Sequence, residues 1–289
     1  MADTRIAIGV DVGGSGIKVA AVDTTTGQLL TDRLRVATPN PSTPEAVCAS
    51  ITRLVKRVST AANDTAAPVG VGIPSVVIGG VSLTAANIDK GWEGFDADSH
   101  LTGLLKRDVT VLNDADAAGL AEIRFGAGKD VSGVVLLLTL GTGVGSGLFV
   151  DGELVPNTEL GHMEIRGRDA ERRSAAAARV RRGLSWKAWA NDLDEHLHAI
   201  DRILWPGLII LGGGVSKRSD RFIPRLTVRP PVVPAQLHND AGIVGAAMAA
   251  AEKFQPTAAS TPRRRSPGGA RSVTPSRVAR ATAPRSPTR

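Results

Sequence analysis

The sequence predicts an α/β protein whose strands are buried on both faces. Three observations point there: short apolar runs of strand length recur along the chain, each ends in glycine-rich or Asn/Asp turn chemistry, and segments of helical periodicity lie between them. The runs occupy residues 6–10, 69–73, 109–112, 134–140 and 208–211 and are apolar almost throughout rather than alternately, as sheet strands covered by helices are. Between them, Val47, Ile51, Leu54, Val55 and Val58 fall on one helical face behind Thr43 as a cap, with Pro44 at the first helical position. A second helix is predicted behind Ser185. There Trp186, Trp189, Leu193, Leu197, Ile200 and Leu204 keep helical spacing while Asp192, Asp194 and Glu195 point elsewhere, so the tryptophan pair reads as core.

Composition bounds the function. A chain of 289 residues with 42% apolar content can build one or two packed units. Nothing approaches the roughly 20 uninterrupted apolar residues of a membrane span. The opening M-A-D-T-R lacks the apolar core of a signal peptide, so a cytoplasmic protein is expected. The single cysteine, Cys48, cannot form an internal disulfide or a thiolate-rich zinc site and reads as a small core residue. The net charge of +7 suggests nucleic acid until its distribution is considered. Residues 255–289 carry eight arginines and no acid, which leaves the rest of the chain at about −1. That tail is rich in Pro, Ser, Thr, Ala and Gly, buries too little to offset its ordering entropy, and is expected to be disordered.

Three glycine clusters follow three buried runs. The first run enters D-V-G-G-S-G-I-K at 11–18, where Gly13, Gly14 and Gly16 allow close backbone approach to an anion, Ser15 adds a hydroxyl and Lys18 a charge. A hairpin that needs positive φ at its turn would look the same. The run 134–140 enters G-T-G-V-G-S-G at 141–147, and the run 208–211 enters Gly212-Gly213-Gly214, where a helix is expected to present its N-terminal amides. Neither G-x-x-x-x-G-K-[ST] nor a G-x-G-x-x-G leading into a helix is present.

The polar candidates sit elsewhere. Asn113-Asp114 ends a strand and opens a helical stretch at 115–125, the carboxyl edge where α/β sheets collect ligands, although both residue types also cap helices. The segment P-N-T-E-L-G-H at 156–162 sets Glu159 three residues from His162, beside a glycine. His162 alone could equally be a core histidine, and no nearby cysteine or second histidine supports a metal there.

Taken in order, these segments resemble the ROK family of sugar kinases, and within it the polyphosphate glucokinase and glucomannokinase branch, over nearly all of residues 5–254. Besides the two phosphate loops, the resemblance is carried by T-A-A-N-I-D-K-G-W at 84–92, L-N-D-A-D-A-A-G at 112–119, P-N-T-E-L-G-H-M-E-I at 156–165, G-L-S-W-K-A-W-A at 183–190 and G-G-G-V-S-K-R at 212–218. It implies an actin-like, ribonuclease-H-like pair of α/β domains with a cleft between them. The expected small domain is 1–112 with 240–254, which carries the first phosphate loop, and the large domain is 113–239. It implies phosphorylation of the 6-hydroxyl of glucose, and of mannose, by inorganic polyphosphate or ATP with Mg²⁺. Asp114 is then the general base. Asn87, Asn113, Asp114, Glu159, His162 and Glu171 are the expected sugar contacts; Asp11, Gly13, Gly14, Ser15, Lys18, Gly141, Thr142 and Gly143 face phosphate, and Gly212, Gly213 and Gly214 form the adenosine-type loop. A homodimer is also implied.

Two departures matter. Ser15 stands where many family members have threonine, which keeps the hydroxyl. Where most carry a cysteine-rich zinc motif, residues 166–173 read R-G-R-D-A-E-R-R, so no structural zinc is expected. The arginines there are either a solvated helix face or, through Arg168, Arg172, Arg173 and Arg179, a track for a polyanion. The alternatives are an ATP-only kinase of the same family for another hexose or an amino sugar, a sugar-responsive DNA-binding regulator, and a nucleic-acid binder acting through its tail. Only five residues precede the first strand, so no winged helix is expected there.

Overall fold

The computed structural model describes residues 5–86 and 88–254, built on two large sheets of the same plan. The first begins with the antiparallel hairpin β1 (Ile6–Gly13) and β2 (Gly16–Asp23), edged by the short β3 (Gln28–Leu29) and β4 (Leu34–Val36). After α1 (Pro44–Ala61), β5 (Val69–Ile73) joins β1 in parallel. A small sheet of β6 (Val77–Ile78), β7 (Val81–Ser82) and β8 (Phe95–Asp96) precedes α2 (Ala97–Leu105). Then β9 (Val109–Asn113) completes the order β3-β2-β1-β5-β9 and α3 (Asp114–Phe125) leads away.

The second sheet repeats the arrangement with the hairpin β10 (Val134–Leu140) and β11 (Val144–Val150), edged by β12 (Glu153–Val155). A ribbon of β13 (Glu164–Ile165) and β14 (Arg168–Asp169), the short α4 (Glu171–Ser174) and α5 (Ala176–Arg181), and the long α6 (Trp186–Leu204) intervene. The parallel β15 (Leu208–Gly212) and β16 (Val232–Pro234) give the order β12-β11-β10-β15-β16. Finally α7 (Ala241–Lys253) packs against β1, β5 and α3.

Local chemistry accounts for these elements. Thr43 Oγ1 accepts from the Ala46 amide with Pro44 at the start of α1, and Ser185 Oγ accepts from the Ala188 amide at the start of α6. The apolar stripe of α1 is buried against one face of the first sheet, while α3 and α7 cover the other. Glycine sets how closely these layers meet. A Cβ on Gly9 would lie 1.8 Å from the Ile243 carbonyl oxygen, one on Gly70 1.7 Å from that of Ala246, and one on Gly245 1.6 Å from that of Ala117. Sheet, α7 and α3 therefore touch at backbone distance. A Cβ on Gly72 would be 3.3 Å from the Asp114 Cα, so the same packing seats Asp114 directly over β5.

Trp189 is buried under α6 as core, its Nε1 donating to the carbonyls of Ser174 and Ala175. Trp186, one turn earlier, is only half-buried, packed at the margin of that core against Phe222 and Arg179. Another expectation needs correction: no α-helix follows the third glycine cluster. Residues Gly214–Arg221 form a 3₁₀ segment interrupted at Arg218 (φ −119°, ψ 28°). Ser216 Oγ donates back to the Gly213 carbonyl at 2.8 Å, a local bond that competes with a regular helix. Among the described residues no helix is long and apolar enough to cross a membrane. The tail at 255–289 lies outside the described residues.

Candidate active site

One cavity of about 330 Å³ opens between the two hairpin turns. From the first sheet it is lined by Asp11, Gly13, Gly14, Ser15 and Lys18, and from the start of α3 by Asn113 and Asp114. From the second half come Gly141, Thr142, Gly143, Glu159, His162, Glu171, Gly213 and Gly214. Residues expected from sequence as sugar and phosphate contacts thus meet in one place. Asn87 lies outside the described residues, and two other groups do not join them. Gly212 belongs to the buried strand β15, paired with Thr139, and does not line the cavity. The four arginines of the expected track also lie off it. Arg173 has both arms engaged by Asp192 and Glu195, and Arg179 lines a separate groove.

The two turns face each other, since a Cβ on Gly14 would sit 3.7 Å from Thr142 Oγ1. The first is braced from behind, where Thr38 Oγ1 donates to the Gly13 carbonyl at 2.6 Å and Arg35 to the Ser15 carbonyl at 2.9 Å. Lys18 Nζ lies 2.7 Å from Asp11 Oδ2, so the cation of this loop is already paired. In the second turn the Gly141 amide donates to the Gly143 carbonyl, and the Ala177 amide donates to the Gly141 carbonyl, both at 3.0 Å. Not every glycine of G-T-G-V-G-S-G belongs to the turn. Gly145 and Gly147 lie on β11, where a Cβ would come within 2.9 Å of the Ala115 Cβ and 3.1 Å of its carbonyl oxygen. Their bareness lets the first turn of α3, with Asp114, lie against the second sheet.

Asn113 is the α3 cap: its Oδ1 accepts from the amides of Ala115 and Asp116, and its Nδ2 donates to the Ser75 carbonyl at 3.1 Å. Asp114 follows it at the helix start, enclosed by protein except for a face on the cavity. Burial pushes its carboxyl up to about 7, with further upward pressure from the charges of Asp11, Glu159 and Asp116 and a partial offset from the Ala115 amide. Glu159 is raised too, chiefly by burial, with His162 acting the other way and Glu171 adding to the rise. His162 joins two carboxylates, its Nε2 3.7 Å from Glu159 and its Nδ1 3.2 Å from Asp169. Glu171 accepts from the Val144 amide at 2.9 Å, which ties the acidic wall to the second turn. His162, Asp169 and Glu171 bring ligand atoms within 4.8 Å of one another. That donor set of one nitrogen and two carboxylates lacks the thiolates of a zinc knuckle.

Sequence reasoning passed over the residues behind this wall. Buried Asp116, whose carboxyl burial raises to about 6, accepts from the Asn157 amide at 2.8 Å. The Asn157 side chain in turn clasps the Val77 backbone, accepting from its amide at 2.8 Å and donating to its carbonyl at 2.9 Å. Buried His196 on α6 holds the Leu160 carbonyl from Nε2 at 3.0 Å. The segment bearing Glu159 and His162 is thus pinned from both sides. The available signals were a second acid in N-D-A-D and an asparagine after proline in P-N-T-E, which takes positive φ (59°) in the structure, and neither names a partner.

This pairing of an acidic pocket with two amide-rich turns on duplicated α/β sheets is the arrangement of a phosphotransferase, and the comparisons agree. The chain belongs to the ROK family, whose family model matches residues 7–177. It is 49% identical over 246 residues to a polyphosphate glucokinase of Mycobacterium tuberculosis, covering 85% of this chain and 91% of that one. The crystal structure of an inorganic polyphosphate/ATP-glucomannokinase from Arthrobacter sp. strain KM superposes with a TM-score of 0.84 at 49% identity, covering 86% of this chain and 99% of that one. A ROK family glucokinase from Streptomyces griseus, in complex with glucose and AMPPNP, gives a TM-score of 0.75 at 26% identity over 86% of this chain and 99% of that one. The fold is accordingly the actin-like two-domain α/β fold.

Proposed function

We propose that this protein transfers a phosphoryl group to the 6-hydroxyl of glucose, and of mannose, from inorganic polyphosphate or ATP. The observation that carries the reading is Asp114: a carboxylate raised to about 7, at the meeting point of an acidic acceptor wall and two glycine turns. Near neutral pH such a group accepts a proton readily and can release it again. Asp114 takes the hydroxyl proton as the O6–P bond forms. The bond from phosphorus to the departing phosphate breaks, and the leaving group keeps the electron pair. Glu159 and His162 hydrogen-bond the ring hydroxyls, and Glu171 keeps them in register with the turn at Gly141–Gly143, whose Thr142 and Gly143 amides and Thr142 hydroxyl take the phosphate oxygens.

Asp11 fits a hard divalent cation, since it sets a carboxylate on the cavity among other acidic groups and its charge is only matched by Lys18. Mg²⁺ held there would offset the charge of the transferring phosphates. In this reading residues 1–112 with 240–254 form one lobe and 113–239 the other, and their closure excludes water from the reaction. The protein works in the cytoplasm as a homodimer, for which a solution mass is the measurement. The test of the activity is direct: purified protein with glucose or mannose, each offered ATP or long-chain polyphosphate, with sugar 6-phosphate measured. No sugar phosphate from any of the four pairs would sink the reading.

A further inference from the structure

We propose that a groove beside the reaction cavity, walled by Arg179, Arg218 and Arg221, binds the distal phosphates of a long inorganic polyphosphate. The inference rests on the donor reading above. The groove has a volume of about 510 Å³ and runs between α5, which gives Ala176, Arg179 and Val180, and the segment after the third glycine cluster, which gives Val215, Arg218 and Arg221. Trp186 lines it as well. It is lined by three guanidinium groups and, among the described residues, by no carboxylate.

Its walls adjoin those of the cavity. Gly214 lines the cavity and Val215 the groove; on the facing wall Ala176 lines the groove while the amide of Ala177 donates to Gly141 in the phosphate turn. A chain whose end lies over Gly141–Gly143 reaches the groove by passing between these two pairs of neighbours.

The three arginines are free to take phosphate. Arg218 is exposed and makes no ion pair among the described residues, and Arg221 has only its sequence neighbour Asp220 at 3.3 Å, itself well exposed. Arg179 gives one hydrogen to the Leu184 carbonyl at 3.2 Å and rests 4.0 Å from the Trp186 ring centroid, a contact that fixes a guanidinium without neutralising it. Planar guanidinium groups take phosphate oxygens two at a time, so repeated anionic units suit this lining. A nucleoside base suits it less, because the Trp186 ring is already stacked with Phe222 and engaged by Arg179.

Two competing routes are weaker. The groove on the other side of the third glycine cluster contains Arg33, Lys217 and His238, but it also contains Asp240, and Arg33 is bound to it. The arginines at 166–182 are dense in sequence, yet Arg166 and Arg173 bond Glu195, and Arg173 and Arg182 bond Asp192. Of the four arginines first expected to form a track, Arg179 alone lies on the groove.

The experiment compares wild type, Arg218→Ala/Arg221→Ala and Arg33→Ala. Each is assayed for sugar phosphorylation with long-chain polyphosphate, tripolyphosphate and ATP across a salt series, and each is titrated directly with long-chain polyphosphate without sugar. The double variant should melt normally, since both side chains are exposed. Its KM and binding constant for the long chain should rise about tenfold or more, with the slope against log salt flattened by roughly 1.4, about 0.7 per lost phosphate contact. Its KM for ATP and tripolyphosphate should stay within about twofold, and Arg33→Ala should match wild type. The groove is refuted if the double variant keeps wild-type affinity and salt slope for the long chain, if ATP suffers as much as polyphosphate, or if Arg33→Ala carries the loss. A wild type that binds the long chain through these arginines but transfers no phosphate from it would leave the groove standing and overturn the donor reading.

Discussion

The β1–β2 and β10–β11 hairpins occupy equivalent places in two sheets of the same strand order, yet their turns carry different chemistry. The first holds a charged pair, Asp11 and Lys18, at 2.7 Å. The second, Gly141-Thr142-Gly143, has no ionisable group and presents backbone and hydroxyl alone. A duplicated scaffold thus divides the work. One turn supplies fixed charge next to the Asp114 carboxylate, the other supplies dipoles, and Asp114 and the Glu159–Glu171 wall stand where the two halves meet. The comparison teaches that two turns at equivalent places in a repeated fold can differ in charge, because the side chains of each turn, not its position, decide whether it carries an ion pair.

The sharpest way to break this division is to remove the group on which both halves converge. Asp114→Asn should lose about two to four orders of magnitude in kcat, the usual worth of a positioned base. It should also be more stable than wild type. A carboxyl raised on folding from 3.8 to about 7 binds its proton more tightly in the folded state, so folding becomes less favourable as pH rises through that interval. The gain in Tm should therefore be greatest above pH 7 and fade towards pH 4. A slow variant without that stability signature would mean the loss came from damage rather than from the missing base.

The second turn can be dissected by glycine. Gly145→Ala puts a Cβ 2.6 Å from Thr139 Oγ1 and 2.9 Å from the Ala115 Cβ, so the start of α3 must shift. We expect a loss of about 1–3 kcal/mol in stability, and a fall in turnover that reaches roughly 100-fold if Asp114 moves by about an ångström. Gly141→Ala meets nothing within 4 Å and should melt as wild type, with any effect confined to the KM for the donor. Equal melting curves for the two variants would show that this turn is not divided between packing and ligand.

How far the sequence could be read follows the same line. Buried strands, capped helices and glycine turns are local patterns, and residues 69–73 and 134–140 were delimited by composition alone. The position of Asp114 after a strand was legible for the same reason. Charge pairing was not, because it depends on which elements face each other. Arg166–Arg182 reads as a basic stretch until α6 sets Asp192 and Glu195 against it, whereas K-R-S-D-R at 217–221 reads only as the end of the third glycine motif and carries arginines that remain available. The Asp116–Asn157–Val77 clasp spans 41 and 80 residues of sequence and has no local signature.

The acidic wall should respond on one side of the reaction alone. Glu159→Gln removes a carboxylate acceptor and His162→Ala a hydrogen-bonding ring, worth about 1.5–3 kcal/mol where the bond involves a charged group, so the KM for sugar should rise roughly 10- to 100-fold. The KM for the donor should change by less than about twofold, since neither side chain bonds to the turns. Isothermal titration with sugar and with ATP separates the two effects, and a loss on the donor side would exchange the proposed subsites.

The smallest effect probes the charged pair of the first turn. Asp11 is the largest charge acting on Asp114 and pushes its carboxyl upward, while Lys18 sits on Asp11 and partly cancels that push. Removing Lys18 exposes the full Asp11 charge, so Lys18→Ala should move the acid limb of the pH–kcat/KM profile above its wild-type position. Asp11→Asn removes the charge altogether and should move the limb below it. Interaction between unit charges at this range in a partly solvated cleft corresponds to shifts of roughly one pH unit or less. The two variants will also weaken donor binding, so the limb rather than the amplitude is the quantity to read, at saturating donor and at fixed ionic strength. Shifts of opposite sign would tie the first turn to the proton transfer through its charge. Two limbs moving the same way, or neither moving, would reduce the Asp11–Lys18 pair to a brace for the hairpin and remove the electrostatic half of the comparison between the two turns.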